Sequence, residues 1–469
     1  MFTKPYRFEI WLYIFLFFSM RFVSLLTWQI PYLFTTISVF IILSALCTIF
    51  FRPSLVVPII VTELFLGGNG ALFSVLGISI RSYLLIAGII TIFLHHKTYI
   101  TAIKRIPKHL RYTILVFLLS IAVSCFIGFF YRNSLSLVMA DAIPFAYLFL
   151  LPLFVHEIHS LDVTRVRLYQ SLLIAAIISY TIFTFLTFFL FSFYILEIHG
   201  TVYNWYRDIL AAKITNLDGF FFRSTFPWQI FIPIIGLVAT YRLSTKKDGL
   251  SLWWWILISS MAMLAISLTR TYILGYTFGL VVLWITFARH RITLALYAST
   301  SILVWITVFV CINLIVSAGS SYGLGLISER FGAIANPEQE LSAYSRSELL
   351  EPIYIAFAQR PILGNGFGST ITITQNETIV QTAEYDWGWF ELFAERGIIG
   401  GIIFMWFFVA LWKQDSLVPK VLRHGVLSGF EIMYITAPVL HHVYGIFLIC
   451  IFITLTTISK PKIFFTLFR

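Results

Sequence analysis

SLWWWILISSMAMLAISLTRTYILGYTFGLVVLWITFA, residues 251–288, contains a single charged side chain, Arg270. Apolar runs flank it on both sides, Ser251 to Leu268 and Tyr272 to Ala288, each close to the about 20 residues that a helix needs to cross a bilayer's hydrocarbon. The stretch reads as two membrane crossings joined by a tight turn, with Arg270 at the turn. A cation placed deep in hydrocarbon costs about 2.5 kcal/mol or more, so Arg270 is expected to face a polar cavity or a partner. The plainer reading is that its long side chain reaches up to the interface.

The whole chain repeats this pattern. Of its 469 residues 59% are hydrophobic, 18% aromatic and only 11% charged, with a mean hydropathy of +0.91. That excludes water-soluble enzymes, disordered tails and disulfide scaffolds. Apolar segments near 8–27, 31–51, 53–66, 77–95, 112–130, 138–156, 169–194, 225–241, 251–268, 272–288, 293–316, 396–412, 427–441 and 443–458 predict an all-α, polytopic helical bundle of about 12–14 crossings. Short windows at 66–70 and 441–442 suit re-entrant pieces. No internal repeat divides the chain, which reads as one membrane domain over 1–469.

The net charge of +11 fits the positive-inside rule better than a nucleic-acid partner, because most of the 32 basic residues fall in alternate connections. Those connections carry Lys97, Lys104, Arg105, Lys108 and Arg111, then Arg165 and Arg167, then Lys413, Lys420 and Arg423. Their side is expected to be cytoplasmic. The opposite side is left with loops near 195–224 and 317–395. The second, a large extracytoplasmic loop, holds ten acidic residues against three basic ones and no histidine. Loops of that length are functional or carry structure of their own. Leu349, Ile353 and Phe357 recur at helical spacing, predicting an amphipathic helix on the membrane face that starts near Pro337 and bends at Pro352. Gly364 to Gly368 reads as a turn, Ser369 to Thr378 as β-prone, and Ala383 to Glu395 as a helix entering the membrane.

Five arginines fall on this outer side: Arg81, Arg223, Arg270, Arg346 and Arg360. The planar guanidinium suits the oxygens of a diphosphate, and several together hold one without a metal. With no histidine in the loop, a carboxylate must serve as general base. Asp386 is the first choice, since Tyr385, Trp387 and Trp389 flank it and aromatic desolvation raises a carboxyl pKa. Glu384, Glu391 and Glu395 are its rivals, and His441 and His442 are alternative bases. Asp141 and Glu63 stand out by lying in apolar segments. Cys47, Cys125, Cys311 and Cys450 lack any metal or disulfide spacing, no nucleotide or metal motif occurs, and neither cofactor nor metal is expected.

Four segments in order, Leu268-Thr-Arg270-Thr, Arg346-Ser-Glu-Leu-Leu350, Arg360-Pro-Ile-Leu-Gly364-Asn-Gly-Phe-Gly368 and Glu395-Arg-Gly397-Ile-Ile-Gly400, resemble the O-antigen ligase and O-antigen polymerase family of bacterial membrane glycosyltransferases. The likeness covers about 130 residues. Ligases of that family carry a histidine eleven residues before the first glycine of the last motif; here Asp386 stands there, which points toward a polymerase. The resemblance implies a donor saccharide on undecaprenyl diphosphate and inverting, metal-independent transfer at the outer leaflet. Arg270 and Arg346 would act on the diphosphate, with Arg360, Arg223 and Arg81 in support and Asp386 as base. A polysaccharide chain-length regulator would be a partner beside membrane lipids. The alternatives are a ligase acting on a finished glycan and, from a different class, a flippase for lipid-linked sugars.

Overall fold

A computed structural model describes residues 4–68, 70–245, 250–332, 336, 338, 341–375, 378–383, 385–414 and 418–458. The expected helix start at Pro337 and the rival Glu384 lie outside them. The chain is an all-α, multi-pass membrane bundle. Its helices are α1 (Lys4–Thr27), α2 (Pro31–Phe51), α3 (Val56–Leu66), α4 (Ile80–Leu94), α5 (His96–Arg105), α6 (Lys108–Phe130), α7 (Leu135–Ala146), α8 (Leu151–His159), α9 (Val163–Ser192) and α10 (Thr201–Asp208). They continue with α11 (Phe231–Thr245), α12 (Leu250–Ser267), α13 (Arg270–Thr286), α14 (Arg291–Val316), α15 (Leu324–Gly332), α16 (Leu341–Glu348), α17 (Leu350–Gln359), α18 (Gly388–Lys413), α19 (Lys420–Thr436) and α20 (Val443–Thr456). Among the described residues seven spans are long and apolar enough to cross a membrane, and the pair α4 and α5, bent by 97°, makes an eighth if counted as one span. Four shorter apolar helices accompany them. Large side chains such as Phe8, Trp11, Phe15, Phe40 and Phe50 are exposed on the outside, which a bilayer tolerates and water does not.

The ends of the bundle differ in chemistry. At one end the basic connections meet: Arg165 donates to Ser54 O at 3.1 Å and pairs with Glu157, Arg167 pairs with Glu9, and His159 contacts Thr457 at 3.2 Å. At the other end three small antiparallel hairpins cap the helices, β1 (Ser74–Val75) with β2 (Ile78–Ser79), β3 (Lys213–Asp218) with β4 (Phe221–Thr225), and β5 (Ile371–Gln375) with β6 (Thr378–Thr382). The window at 66–70 is the end of the short α3, which stops at Gly67 and connects through the β1–β2 hairpin to α4.

Small residues fix the helix pair that matters most. Gly275 and Gly279 on α13 face Gly429 and Gly425 on α19, and a Cβ on Gly429 would stand 2.6 Å from Gly275 O. Without a hydrophobic drive inside lipid, such glycine pairs let two backbones touch and so bring helices together. Arg270 at the start of α13 is thereby held against the end of α19.

Two expectations change. The helix α17 turns its apolar side inward: Leu349 and Ile353 pack with Ile371, Tyr385 and Ala394, so the loop's own hairpin and α18 cover it rather than lipid. The break before it falls at Leu349, and Pro352 sits in the first turn of α17, where proline is tolerated. The helix expected over Ala383 to Glu395 starts at Gly388 and leads into the next crossing through a break at Gly397, and its Glu391 and Glu395 are buried.

Candidate functional site

Helix α18 breaks at Gly397, whose φ of 61° and ψ of −171° leave the helical region. A break inside a membrane frees backbone groups that lipid cannot satisfy. The turn at residues 361–368 satisfies them: Ile398 N–H donates to Pro361 O at 2.8 Å and Ile399 N–H to Ile362 O at 3.2 Å. In return Asn365 N–H donates to Ala394 O at 2.9 Å and Gly366 N–H to Glu395 O at 2.8 Å. Gly366 has φ +76°, and a Cβ there would collide with the Gly128 backbone of α6. On the other flank Asn133 donates to Phe367 O at 2.8 Å. The third and fourth segments of the family-like set are therefore one interlocked unit.

That unit positions a buried polar cluster. Gly368 N–H donates to Asp141 Oδ2 at 2.6 Å, and Asp141 lies in hydrogen-bonding reach of Glu395. One helical turn earlier, Glu391 Oε1 accepts from His441 Nδ1 at 2.6 Å, and Tyr434 OH donates to His441 Nε2 at 3.1 Å. Glu391 Oε2 and Glu395 Oε2 are buried without a hydrogen-bond partner among the described residues, as are Nε and Nη1 of Arg396. Arg396 lies over the rings of Phe117 and Phe145, 5.0 and 5.9 Å from their centroids. Glu391, Glu395 and His441 each offer a donor atom within 4.8 Å of the others, so this is where the chain's side chains would suit a cation. Just outside α18, burial and then the charge of Glu395 hold the Tyr385 hydroxyl above the ordinary phenol range, and Tyr385 donates to Ser369 O at 3.2 Å.

Above the cluster the cations separate into two groups. Arg81 is 5% exposed and fully engaged: Nε faces both oxygens of Glu63 at 3.0 and 3.1 Å, and Nη2 donates to Gly68 O at 3.0 Å and Tyr444 OH at 3.2 Å. Arg360 lies flat on Tyr131, 3.3 Å from the ring centroid, and donates to Asn365 Oδ1 at 3.2 Å. Both hold the fold, and neither is presented to a diphosphate as expected. The other group, Arg270, Arg346 and Lys213, lies on separate elements of the same end. Arg270 donates to Arg330 O at 3.3 Å, and its neighbour Thr271 accepts from Thr436 at the end of α19 at 3.0 Å. The turn that presents Arg270 is strained, since Leu268 takes φ 42°, a conformation costing about 1–3 kcal/mol for a bulky residue and here held by burial of its side chain.

Asp386 lies two residues before α18, 3.7 Å from Arg346 Nε, and the two side chains are 38% and 29% exposed. The expected aromatic enclosure is not what surrounds it. Trp387 donates to Arg346 O at 2.9 Å and Trp389 packs on Phe404 and Tyr434, so the rings anchor the backbone while the carboxylate faces a guanidinium. Arg223 pairs across the hairpin with Thr215, two positions from the Lys213–Thr225 pair, so Arg223 and Lys213 share one face of it while Ile214, Phe222 and Ser224 are buried on the other. Lys213 acts electrostatically on His442, an exposed residue immediately before α20.

Sequence reasoning missed Lys213, Arg396, the engagement of His441 by Glu391, and Arg21, buried among Tyr180, Phe183 and Trp228. Only the four-residue spacing of Glu391 and Glu395 hinted at a shared face. No protein-family model, curated protein or solved structure matches the chain.

Proposed function

We propose that this multi-pass protein is a bacterial inner-membrane glycosyltransferase that polymerises saccharide repeat units carried on undecaprenyl diphosphate, as in O-antigen, capsule or exopolysaccharide assembly. The observation that carries the reading is the Arg346–Asp386 pair just before α18, a few residues from the buried Glu391–His441 carboxylate–imidazole pair, with Arg270 held at the end of α19. Guanidinium groups there meet the donor's diphosphate and stabilise the charge that grows on it as it leaves. When Arg346 turns to the phosphates, Asp386 is released to accept the acceptor hydroxyl's proton. The hydroxyl oxygen bonds to the anomeric carbon, the bond from that carbon to the diphosphate oxygen breaks with inversion, and the carrier leaves as its diphosphate. Arg223 extends the same cationic face. A chain-length regulator would act from outside this site.

The test is glycan length on cells carrying Arg270→Ala or Arg346→Ala. Long polymer is expected to disappear while membrane insertion is retained; unchanged chain length in both variants refutes the reading. A ligase would instead leave full-length polymer unattached. One observation favours a flippase as a second reading: Arg21, Glu395 and Arg396 are ionisable groups buried in the bundle, as transport pathways require. Liposomes holding the purified protein and lipid-linked repeat units separate the two, since a flippase moves the lipid and forms no glycosidic bond.

A further inference from the structure

At the basic end of the bundle lies a groove that glycosyl transfer does not use. Because α5 turns 97° from α4, it runs across the bundle's end rather than through it. Its Tyr99 is buried against His156 of α8, with ring centroids 5.5 Å apart, while Lys97, Lys104 and Arg105 remain exposed. Between the end of α5, the first half of α6 and the junction of α7 with α8 is a groove of about 590 Å³. Ile103, Leu115, Leu118 and Phe149 form its apolar walls, and Lys108 and Arg111 stand at its mouth. None of its lining residues is acidic. Arg111 Nε is buried there with no hydrogen-bond partner among the described residues.

The groove's polarity runs in one direction. From Arg111 to Leu118, α6 descends roughly 10 Å at 1.5 Å per residue, passing from two cations to an entirely apolar floor. That is the profile of an amphiphile with an anionic head and a hydrocarbon tail. We infer that this groove binds an anionic glycerophospholipid, its phosphate on Arg111 and Lys108 and an acyl chain along Leu115, Leu118 and Phe149. Phosphate oxygens suit a guanidinium whose Nε has no partner among the described residues. A zwitterionic lipid would bring its own ammonium group against two cations with no carboxylate in the groove to receive it. A second groove at the same end offers a contrast. It holds about 220 Å³ between α3, α8, α9 and α20, its one charged residue is Glu157, and Arg165 already occupies that carboxylate at 2.6 Å. It has no cation to offer and should not distinguish lipid headgroups.

The test titrates the full-length protein in mild detergent with phosphatidylglycerol or phosphatidylcholine of identical acyl chains, reading bound lipid by native mass spectrometry. Wild type is expected to retain one phosphatidylglycerol with about thirtyfold preference, the size two juxtamembrane cations supply. Lys108→Gln with Arg111→Gln should erase that preference, and Lys97→Gln with Lys104→Gln should keep it. No headgroup preference in wild type, a preference surviving in the first pair, or an equal loss in the second pair each overturns the inference, the last by reducing it to general surface attraction. A measurement that needs no variant accompanies these. Phosphatidylglycerol carrying a photoreactive acyl chain should label α6 around Leu115 and Leu118, and even labelling over all lipid-facing helices overturns the site. Inorganic phosphate should fail to displace the lipid, since the tail holds it; displacement would make this a phosphate site and overturn the lipid assignment.

Discussion

Two buried places in this bundle set arginine beside carboxylate, and they are built to opposite ends. At Arg81 and Glu63 the charges are paired: the guanidinium meets both carboxylate oxygens, a backbone carbonyl and the Tyr444 hydroxyl, and no buried atom of the pair is left without a partner among the described residues. At Glu391, Glu395, Asp141 and Arg396 there are three carboxylates to one guanidinium, and oxygens and nitrogens of both signs stay without partners. Unsatisfied buried groups are expensive, so they persist where something other than stability maintains them. The closed pair thus reads as architecture joining α3, α4 and α20. The open cluster, at the break in α18, is the part of the bundle that the proposed function would use.

Breaking the closed pair should have the largest effect on stability. Glu63→Ala leaves Arg81 charged and uncompensated in the bundle, a loss of about 3–5 kcal/mol. The expected result is aggregation or a strongly lowered unfolding temperature in detergent, read by size-exclusion chromatography and thermal scanning. Glu63→Leu combined with Arg81→Met should recover most of that loss, because a buried ion pair exchanged for apolar groups of similar size is often neutral. Failure of the double variant to recover would assign Arg81 a role beyond holding the helices together.

The open cluster should answer in the reverse sense. Glu395→Gln keeps the shape and a hydrogen-bonding group toward Asp141, so its cost in stability is expected to stay within about 1 kcal/mol. Polymer on the cell surface should nonetheless be lost. If Glu395→Gln unfolds the protein as Glu63→Ala does, the contrast between the two places collapses and the cluster is structural as well.

The fold was legible because hydropathy is a local property: two apolar runs around Arg270 suffice to predict α12, α13 and the turn between them. Arg346 and Asp386 were legible as candidates, and they do meet. Their setting was not, since flanking aromatics in sequence say nothing about where the rings point. Glu391 and His441 stand fifty residues apart, and only the packing of α18 on α19 joins them. Arg81 was misread for the same reason, its partner Glu63 being visible in the sequence but not the return of the chain at Gly67 that brings the two together. The glycine pairs of α13 and α19 were present in the sequence, yet a four-residue glycine spacing acquires meaning only once two helices are known to be neighbours.

The smallest effect expected is that of chelation. Glu391, Glu395 and His441 place three donor atoms close enough for a divalent ion, so treating the purified protein with excess chelator asks whether the open cluster depends on one. Two features argue against dependence. Arg396, next in sequence to Glu395, puts a permanent positive charge beside the donors, where a dication would be repelled in a medium that screens poorly. His441 Nδ1 already meets one oxygen of Glu391, so two of the three candidate ligands are bonded to each other rather than left open to an ion. Product length and unfolding temperature are therefore expected to be unchanged by chelator. A fall in both, restored by adding back one divalent metal, would turn the cluster into a metal centre and move the diphosphate's main partner from the arginines to the ion.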